Sequence, residues 1–349
     1  MKAKGKRQIS KVKNVCCRIA DRGSAADWLQ GLWLRPFLIF AFCLLLFDFV
    51  EAQSPVRLAV IDFVGDDNGI VSAVLRQSVT SEFELLDDDL VRVATRGAGY
   101  QGSLNLSRDE ARALGQSLGC DFFVLGKTLT TRRLVGASGE QAYFESLAGL
   151  FWVETRTGKL ILFSFESAKS ETEAASRDKL KAVLKQGWPR YAEAMLNTRK
   201  RHVAAVEDVQ PLPPAVEVLT DDSAATGIQQ PFFYQRLKPD YTEQADLAGI
   251  TATVELEAVF REDGTVGDVE VVKWAGFGLD ESAIATVKKL RFKPAERDGK
   301  KLTLQGLVRY NFRRPLSQAE RQEETERLKR SLRDIKKPPS QIPGQRPKP

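Results

Sequence analysis

The amino-acid sequence predicts an α+β fold: an N-terminal α/β domain with a mixed sheet plus a hairpin, a linker, and a C-terminal β-β-α-β domain built on a three-stranded antiparallel sheet. Three observations predict it. Apolar runs of strand and helix type alternate from 56 to 200, the order of a sheet carrying helices. Proline then gathers at Pro211, Pro213, Pro214 and Pro231. Finally, two-residue alternations between 251 and 312 enclose one short helical stretch, too little chain for parallel crossovers between all strands.

In the N-terminal domain, 56–63 reads as a buried strand, and 70–86 has helical spacing in Val71, Val74, Leu75, Val79 and Phe83. Leu90 to Ala94 reads as a second strand. Ser107-Arg108-Asp109-Glu110 forms a capping box that opens a helix through Leu118. Phe122 to Leu125 reads as a third strand. Leu150 to Val153 and Leu160 to Phe165 flank a turn at Arg156-Thr157-Gly158-Lys159. A last helix begins near Ser176, with Pro189 breaking or kinking it.

In the C-terminal region, Ala252, Val254, Leu256, Ala258 and Phe260 alternate with Thr251, Thr253, Glu255 and Glu257. Asp263-Gly264 suits the positive φ angles of a tight hairpin, and Val269, Val271 and Lys273 continue a second strand towards Trp274. Asp280 reads as an N-cap ahead of the stripe Ala283, Ile284, Val287 and Leu290. Arg291-Phe292-Lys293-Pro294 ends that helix, because proline disfavours helical geometry in the residue before it. The last run pairs Leu302, Leu304, Gly306, Val308, Tyr310 and Phe312 with Thr303, Gln305, Leu307, Arg309 and Asn311.

Taken in order and spacing, Lys238-Pro239-Asp240-Tyr241, Gly249, Asp263-Gly264, Gly278-Leu279-Asp280 and Phe292-Lys293-Pro294-Ala295 resemble the C-terminal domain of TonB-family proteins over 236–314. The family often has Tyr-Pro where this chain has Tyr241-Thr242. The resemblance implies a periplasmic module that takes up a segment of an outer-membrane TonB-dependent transporter, or of another envelope protein, by strand addition. The edge strand would be 302–312. Thr303, Gln305, Leu307, Arg309, Asn311 and Tyr241 are then the partner-binding candidates. The plainer reading of those side chains is that they close the sheet. The N-terminal domain is similar, more loosely, to the TolB amino-terminal and CsgG-like periplasmic α/β domains. That likeness rests on Val60-Ile61-Asp62-Phe63, Ala113-Leu114-Gly115, Gly119-Cys120-Asp121, Val124-Leu125-Gly126 and Thr155-Arg156-Thr157-Gly158. It implies a protein-interaction domain without catalytic residues.

Compartment follows from the first 52 residues. A basic lead (Lys2, Lys4, Lys6, Arg7, Lys11, Lys13) precedes an apolar run at 37–47 and Val50-Glu51-Ala52. That pattern fits a cleaved export signal ending before Gln53, or an uncleaved inner-membrane anchor; the run is short against the roughly 20 residues of a spanning helix. Either way the remainder faces the periplasm. Cys16, Cys17 and Cys43 fall in this leader and only Cys120 remains, so no internal disulfide is expected, and Cys120 reads as a small core residue.

Charge excludes one partner class. Residues 1–52 carry nine basic and four acidic residues, and the segment from Arg313 onward carries eleven and five. The region between therefore has a net charge of −5 against +6 for the chain. No basic groove with interleaved aromatics marks a nucleic-acid surface. Gly97-Ala98-Gly99-Tyr100-Gln101-Gly102 matches a dinucleotide pattern, yet the next helix opens only near Ser107, so it reads as a loop. Asp66-Asp67-Asn68 and Asp87-Asp88-Asp89 lack calcium-loop spacing and read as turns. His202 sits beside Arg199, Lys200 and Arg201, an unpromising metal ligand. No catalytic, cofactor or metal residues are assigned, and an enzyme is not expected. The segments 1–52, 53–200, 201–235, 236–314 and 315–349 read as leader or anchor, interaction domain, linker, strand-accepting domain and charged, partly disordered tail. Two functions stay open. One is an energy-transducing coupler with inner-membrane motor partners; the other is a non-energised scaffold or adaptor in envelope assembly. Transducers of the family usually carry Ser and His in the anchor helix, and the run at 37–47 has no His.

Overall fold

The computed structural model describes residues 55–66, 69–135, 141–207, 217–218, 227–315, 322 and 325–329. The leader with its three cysteines, most of the linker and most of the tail lie outside the described residues. The described residues from Pro55 onward form one compact unit.

Five strands make the first sheet: β1 (Val56–Val60), β2 (Phe83–Leu85), β3 (Phe122–Val135), β4 (Gln141–Glu154) and β5 (Leu160–Ser170), in the order β2-β1-β3-β4-β5. β2 and β3 run parallel to β1, while β3, β4 and β5 form an antiparallel meander. The sheet is therefore mixed, as the sequence predicts. One face packs under α1 (Ile70–Ser78) and α4 (Glu173–Glu207). There Leu75, Leu184, Trp188, Tyr191 and Met195 meet Leu58, Val124, Leu150 and Trp152. α2 (Asp88–Gly97) and α3 (Arg108–Leu118) cover part of the other face through Val91, Ala111 and Leu114. At α3 the expected capping box is complete, with Ser107 Oγ accepting from Glu110 N and the Glu110 carboxylate accepting from Ser107 N.

Several local expectations are overturned. Leu90–Ala94 lies in helix α2, not in a strand: the Asp87 carboxylate accepts from Asp89 N and Leu90 N, and that cap outweighs the β-branched run behind it. The helix beginning at Ile70 stops at Ser78, and the second strand is the three-residue β2 that follows. Gly97–Gly102 consequently trails a helix, which removes the remaining likeness to a dinucleotide loop. β3 and β4 are 14 residues each, far longer than their apolar cores suggest. Helix α4 starts at Glu173 and continues through Pro189. The missing N–H there costs a hydrogen bond, which burial of Leu184, Trp188, Tyr191 and Met195 on both sides offsets.

The second sheet holds β6 (Glu217–Val218), β8 (Ala252–Phe260), β9 (Val266–Lys273) and β13 (Leu304–Phe312), ordered β6-β13-β8-β9. Its three long strands are antiparallel, and α6 (Leu279–Val287) lies across the face formed by Val254, Leu256 and Ala258. Short pieces not foreseen complete the domain. They are β7 (Phe232–Phe233) paired with β10 (Phe292–Lys293), helix α5 (Glu243–Ala248), and a hairpin of β11 (Ala295–Arg297) and β12 (Lys300–Leu302).

Three expectations here need correction. Of the β8–β9 turn pair, only Gly264 has positive φ; Asp263 instead accepts from Thr265 N and Oγ1. The N-cap of α6 is Gly278, while Asp280 is buried within the first turn. Leu302 ends β12, so the last strand begins at Leu304.

Candidate functional site

The phase of the β8 ladder decides which main-chain groups of β13 are free. Thr253 N donates to Asn105 Oδ1 and Thr253 O accepts from Asn105 Nδ2, on the β9 side of β8, where the same amide reaches Trp274 O. In an antiparallel ladder successive residues turn their main chain to opposite neighbours. Odd residues of β8 therefore face β9, and even residues face β13. In the register Leu307↔Glu257 and Arg309↔Glu255, the odd residues of β13 turn away from β8. Gln305, Leu307, Arg309 and Asn311 thus direct N–H and C=O to the outer border of the sheet. This border is not wholly bare, contrary to the expectation. The linker strand β6 runs parallel to β13 opposite Leu304 and Gln305. From Gly306 to Phe312 no described strand pairs with it.

The side chains of these odd residues share the solvent face. Arg309 Nε lies 2.7 Å from Glu255 Oε1, Gln305 Nε2 donates to Glu257 Oε2 at 3.1 Å, and Thr253 Oγ1 donates to Asn311 Oδ1 at 2.8 Å. Leu307 is 55% exposed in the middle of this polar ladder. Thr303 lies just outside the strand, its hydroxyl accepting from Glu262 N. Tyr241 is set apart from the edge candidates. Its hydroxyl donates towards the carbonyls of Ala245 and Ile250, 3.1 and 2.5 Å away, and burial raises its pKa.

The opposite border of the sheet is held by the first domain at the end of β9. Asn105, a residue that sequence reading did not single out, bonds to both Thr253 and Trp274 O and so prolongs the sheet where β9 ends. Trp274 N donates to Leu106 O, and Ser107 bridges Lys273. Glu270 faces Arg108, 2.8 Å away, and Lys159. Burial acts to raise the Glu270 pKa, but these two cations bring it below the usual carboxylate range. The turn 275–278 reaches furthest into the first domain. Phe277 has φ 54, is fully buried, and packs on Phe151, Phe163 and Phe165 with ring centroids 4.9–5.9 Å apart. Gly149 makes room for it, since a Cβ there would sit 2.6 Å from the Phe277 ring. Asp280 accepts from Ala275 N and Gly276 N at 2.8 and 2.9 Å and fixes this turn; burial pushes its pKa up to about 7. One apolar core consequently runs from Phe123 and Leu147 to Leu256 and Val287.

No group of three or more His, Cys, Asp or Glu positioned to hold a metal occurs among the described residues. Cys120 is buried and its thiol pKa is pushed up to about 11 by burial. His202 Nε2 stands 2.6 Å from the buried Glu154, tying the end of α4 to β4. No described helix is long and apolar enough to cross a membrane.

The fold and the β13 border define an antiparallel sheet module with a helix across one face, one edge held at its end by the first domain and one edge unpaired from Gly306 onward among the described residues. Residues 238–313 match the family described as the Gram-negative bacterial TonB protein C-terminal, and this segment is a TonB-family C-terminal domain. The match suggests a protein-interaction role in the cell envelope. Solved structures similar to the chain include the C-terminal domain of TonB from Pseudomonas aeruginosa, at 21% identity, 27% of this chain, 92% of that chain and a TM-score of 0.22. A hypothetical protein from Chlamydia trachomatis is 9% identical over 41% of this chain and 98% of its own, with a TM-score of 0.29. A lipoprotein from Neisseria meningitidis is 16% identical over 38% and 97%, with a TM-score of 0.27. No curated protein matches the chain.

Proposed function

We propose that this is a periplasm-facing TonB-family protein that captures an extended segment of an outer-membrane transporter, or of another envelope partner, as an added strand along β13. The observation that carries this reading is the outward main chain of Leu307, Arg309 and Asn311 on a border with which no described strand pairs from Gly306 to Phe312. Backbone hydrogen bonds would give affinity, and Leu307, Arg309 and Asn311 would read side chains. On this reading 1–52 is a leader or anchor, 53–200 an interaction domain, 201–235 a linker, 236–314 the capturing domain and 315–349 a charged tail.

Leu307→Pro is the direct test. Its N–H belongs to the open edge, so the substitution removes a bond to the visitor without removing one to β8. Titrating the full chain with a periplasm-facing segment of an outer-membrane transporter should show binding lost in this variant. Unchanged binding would reject edge capture. Proline at Gln305 tests a different point, because β6 already lies opposite that residue.

A non-energised scaffold is the second reading, and the shared core around Phe277 favours it. A domain welded to a neighbour is poorly arranged to be pulled away. Sequencing the amino terminus of the mature protein discriminates the two: a new end at Gln53 leaves no inner-membrane tether for a transducer, whereas an intact leader keeps the coupler open.

A further inference from the structure

Ahead of the contacts that hold the end of β9, the outer strands of the two sheets line one cleft without pairing to each other among the described residues. β5 is the outer strand of the first sheet and β9 the outer strand of the second. Between them lies a cavity of about 470 Å³, lined by consecutive residues of both strands: Leu160 to Phe163 on one wall and Val269 to Val271 on the other. Consecutive residues of a strand point to opposite faces, so a cleft lined by all of them runs along the edges of the strands. The same phase argument fixes the main chain. Odd residues of β8 face β9, so in the register Glu257↔Glu270 the groups of Val269 and Val271 turn outward into the cleft. On the other wall, Val124 O accepts from Ile61 N on the β1 side. Even residues of β3 therefore face β1 and odd ones face β4. Propagated through Phe123↔Val153 and Trp152↔Leu162, this leaves Phe163 turned outward. No backbone hydrogen bond joins the two walls among the described residues.

Three further features describe what fits there. Leu160-Ile161-Leu162-Phe163 is an apolar, half-buried run on an edge strand with no proline within it, the kind of border that proteins normally protect. Trp274 lines the cleft, is 1% exposed, and its indole N–H has no partner among the described residues. Charge differs between the ends. Arg108 and Lys159 share the single carboxylate of Glu270, an excess of one cation. At the Phe163 end, beside Phe277, lie Asp280 and Glu281, and no ion pair occupies Glu281 among the described residues.

We propose that this cleft is a second strand-accepting site, in which one extended, alternately apolar segment of a partner protein pairs with β5 and β9 at once and joins the two sheets. The segment carries an acidic group towards Arg108 and Lys159 and a basic group towards Glu281. The site is independent of the β13 border.

The probe is a fluorescently labelled synthetic peptide of alternating Val and Thr with Lys at one end and Asp at the other, titrated into the full chain by anisotropy. Binding is expected, and Leu307→Pro should leave it unchanged. Methylating alternate backbone nitrogens of the probe should weaken it about tenfold or more, since each lost edge hydrogen bond adds to the effect. Lys159→Glu, a half-exposed position outside both cores, should weaken it about threefold, with recovery when the charged ends of the probe are exchanged. Equal binding of the methylated probe would overturn main-chain pairing. Loss of binding in Leu307→Pro would place the peptide on β13 instead, and a dimer that the probe cannot dissociate would place a second copy in the cleft. Either result removes the proposal.

Discussion

The two borders of the C-terminal sheet have had opposite fates. At the end of β9, groups of the first domain finish the hydrogen bonding: the Asn105 side chain mimics a strand, the Ser107 main chain bridges Lys273, and Phe277 is buried among Phe151, Phe163 and Phe165. Along β13 the neighbours are a two-residue linker strand and a row of polar side chains paired within the sheet. The difference teaches that anchoring one edge through apolar burial leaves the other free of structural duty. Substitutions at the first should register as stability, and those at the second as binding.

Phe277→Ala should give the largest effect. Removing a fully buried ring from between the two sheets leaves a cavity, and such changes cost about 3–5 kcal/mol. Urea unfolding should show that loss, and the first domain should keep its own transition. A shift below about 1 kcal/mol would mean that the turn is not a structural plug. The converse substitution, Gly149→Ala, drives a methyl to 2.6 Å from the same ring. Its cost should be about 1–3 kcal/mol by overpacking.

Asp280 makes the anchored border sensitive to pH. Burial is the leading cause of its raised pKa, with two N–H donors opposing it. A carboxyl whose folded pKa is about 7, against an ordinary value of 3.8, favours folding most where it is protonated. That stability is present in full below the unfolded value and is lost as pH climbs through 7. The urea midpoint should therefore fall between pH 5 and pH 8, and Asp280→Asn should flatten this part of the profile. Parallel profiles for the two proteins would refute the assignment.

The two borders also differ in how well they can be read from sequence. β13 is legible because its strict alternation is carried by its own residues, and the same residues prove to direct their main chain outward. The anchored border is not. Asn105 sits in a loop with no periodic signal, and its role depends on Thr253, far along the chain. Phe277 adopts a left-handed conformation that favours glycine, so neither its burial nor its neighbours follow from local preference. In the first domain, Leu90-Val91-Arg92-Val93-Ala94 has strand composition, yet the cap at Asp87 makes it helical. The two carbonyls that hold the Tyr241 hydroxyl, those of Ala245 and Ile250, likewise carry no sequence signal.

Asn105→Ala should fall next, at about 1–3 kcal/mol, because it leaves Thr253 N–H and C=O without the partner that ends the ladder. Hydrogen exchange at Thr253 should accelerate with little change at Tyr310, a residue bonded to β8 from the other side. Equal acceleration at both would show that the sheet responds as one body and that the two borders are not independent.

Arg309→Ala should be the smallest in stability and the sharpest in contrast. Arg309 is 58% exposed in its side chain and its pairing with Glu255 is a surface ion pair. Exposed pairs of this kind contribute about 0.2–1 kcal/mol. Unfolding should therefore barely change, while capture of an added strand at β13 weakens, because the side chain beside the visitor is gone and Glu255 is left uncompensated. If the variant loses stability on the scale of Phe277→Ala, or if it binds the transporter segment as the parent does, the division between an anchoring border and a receiving one fails.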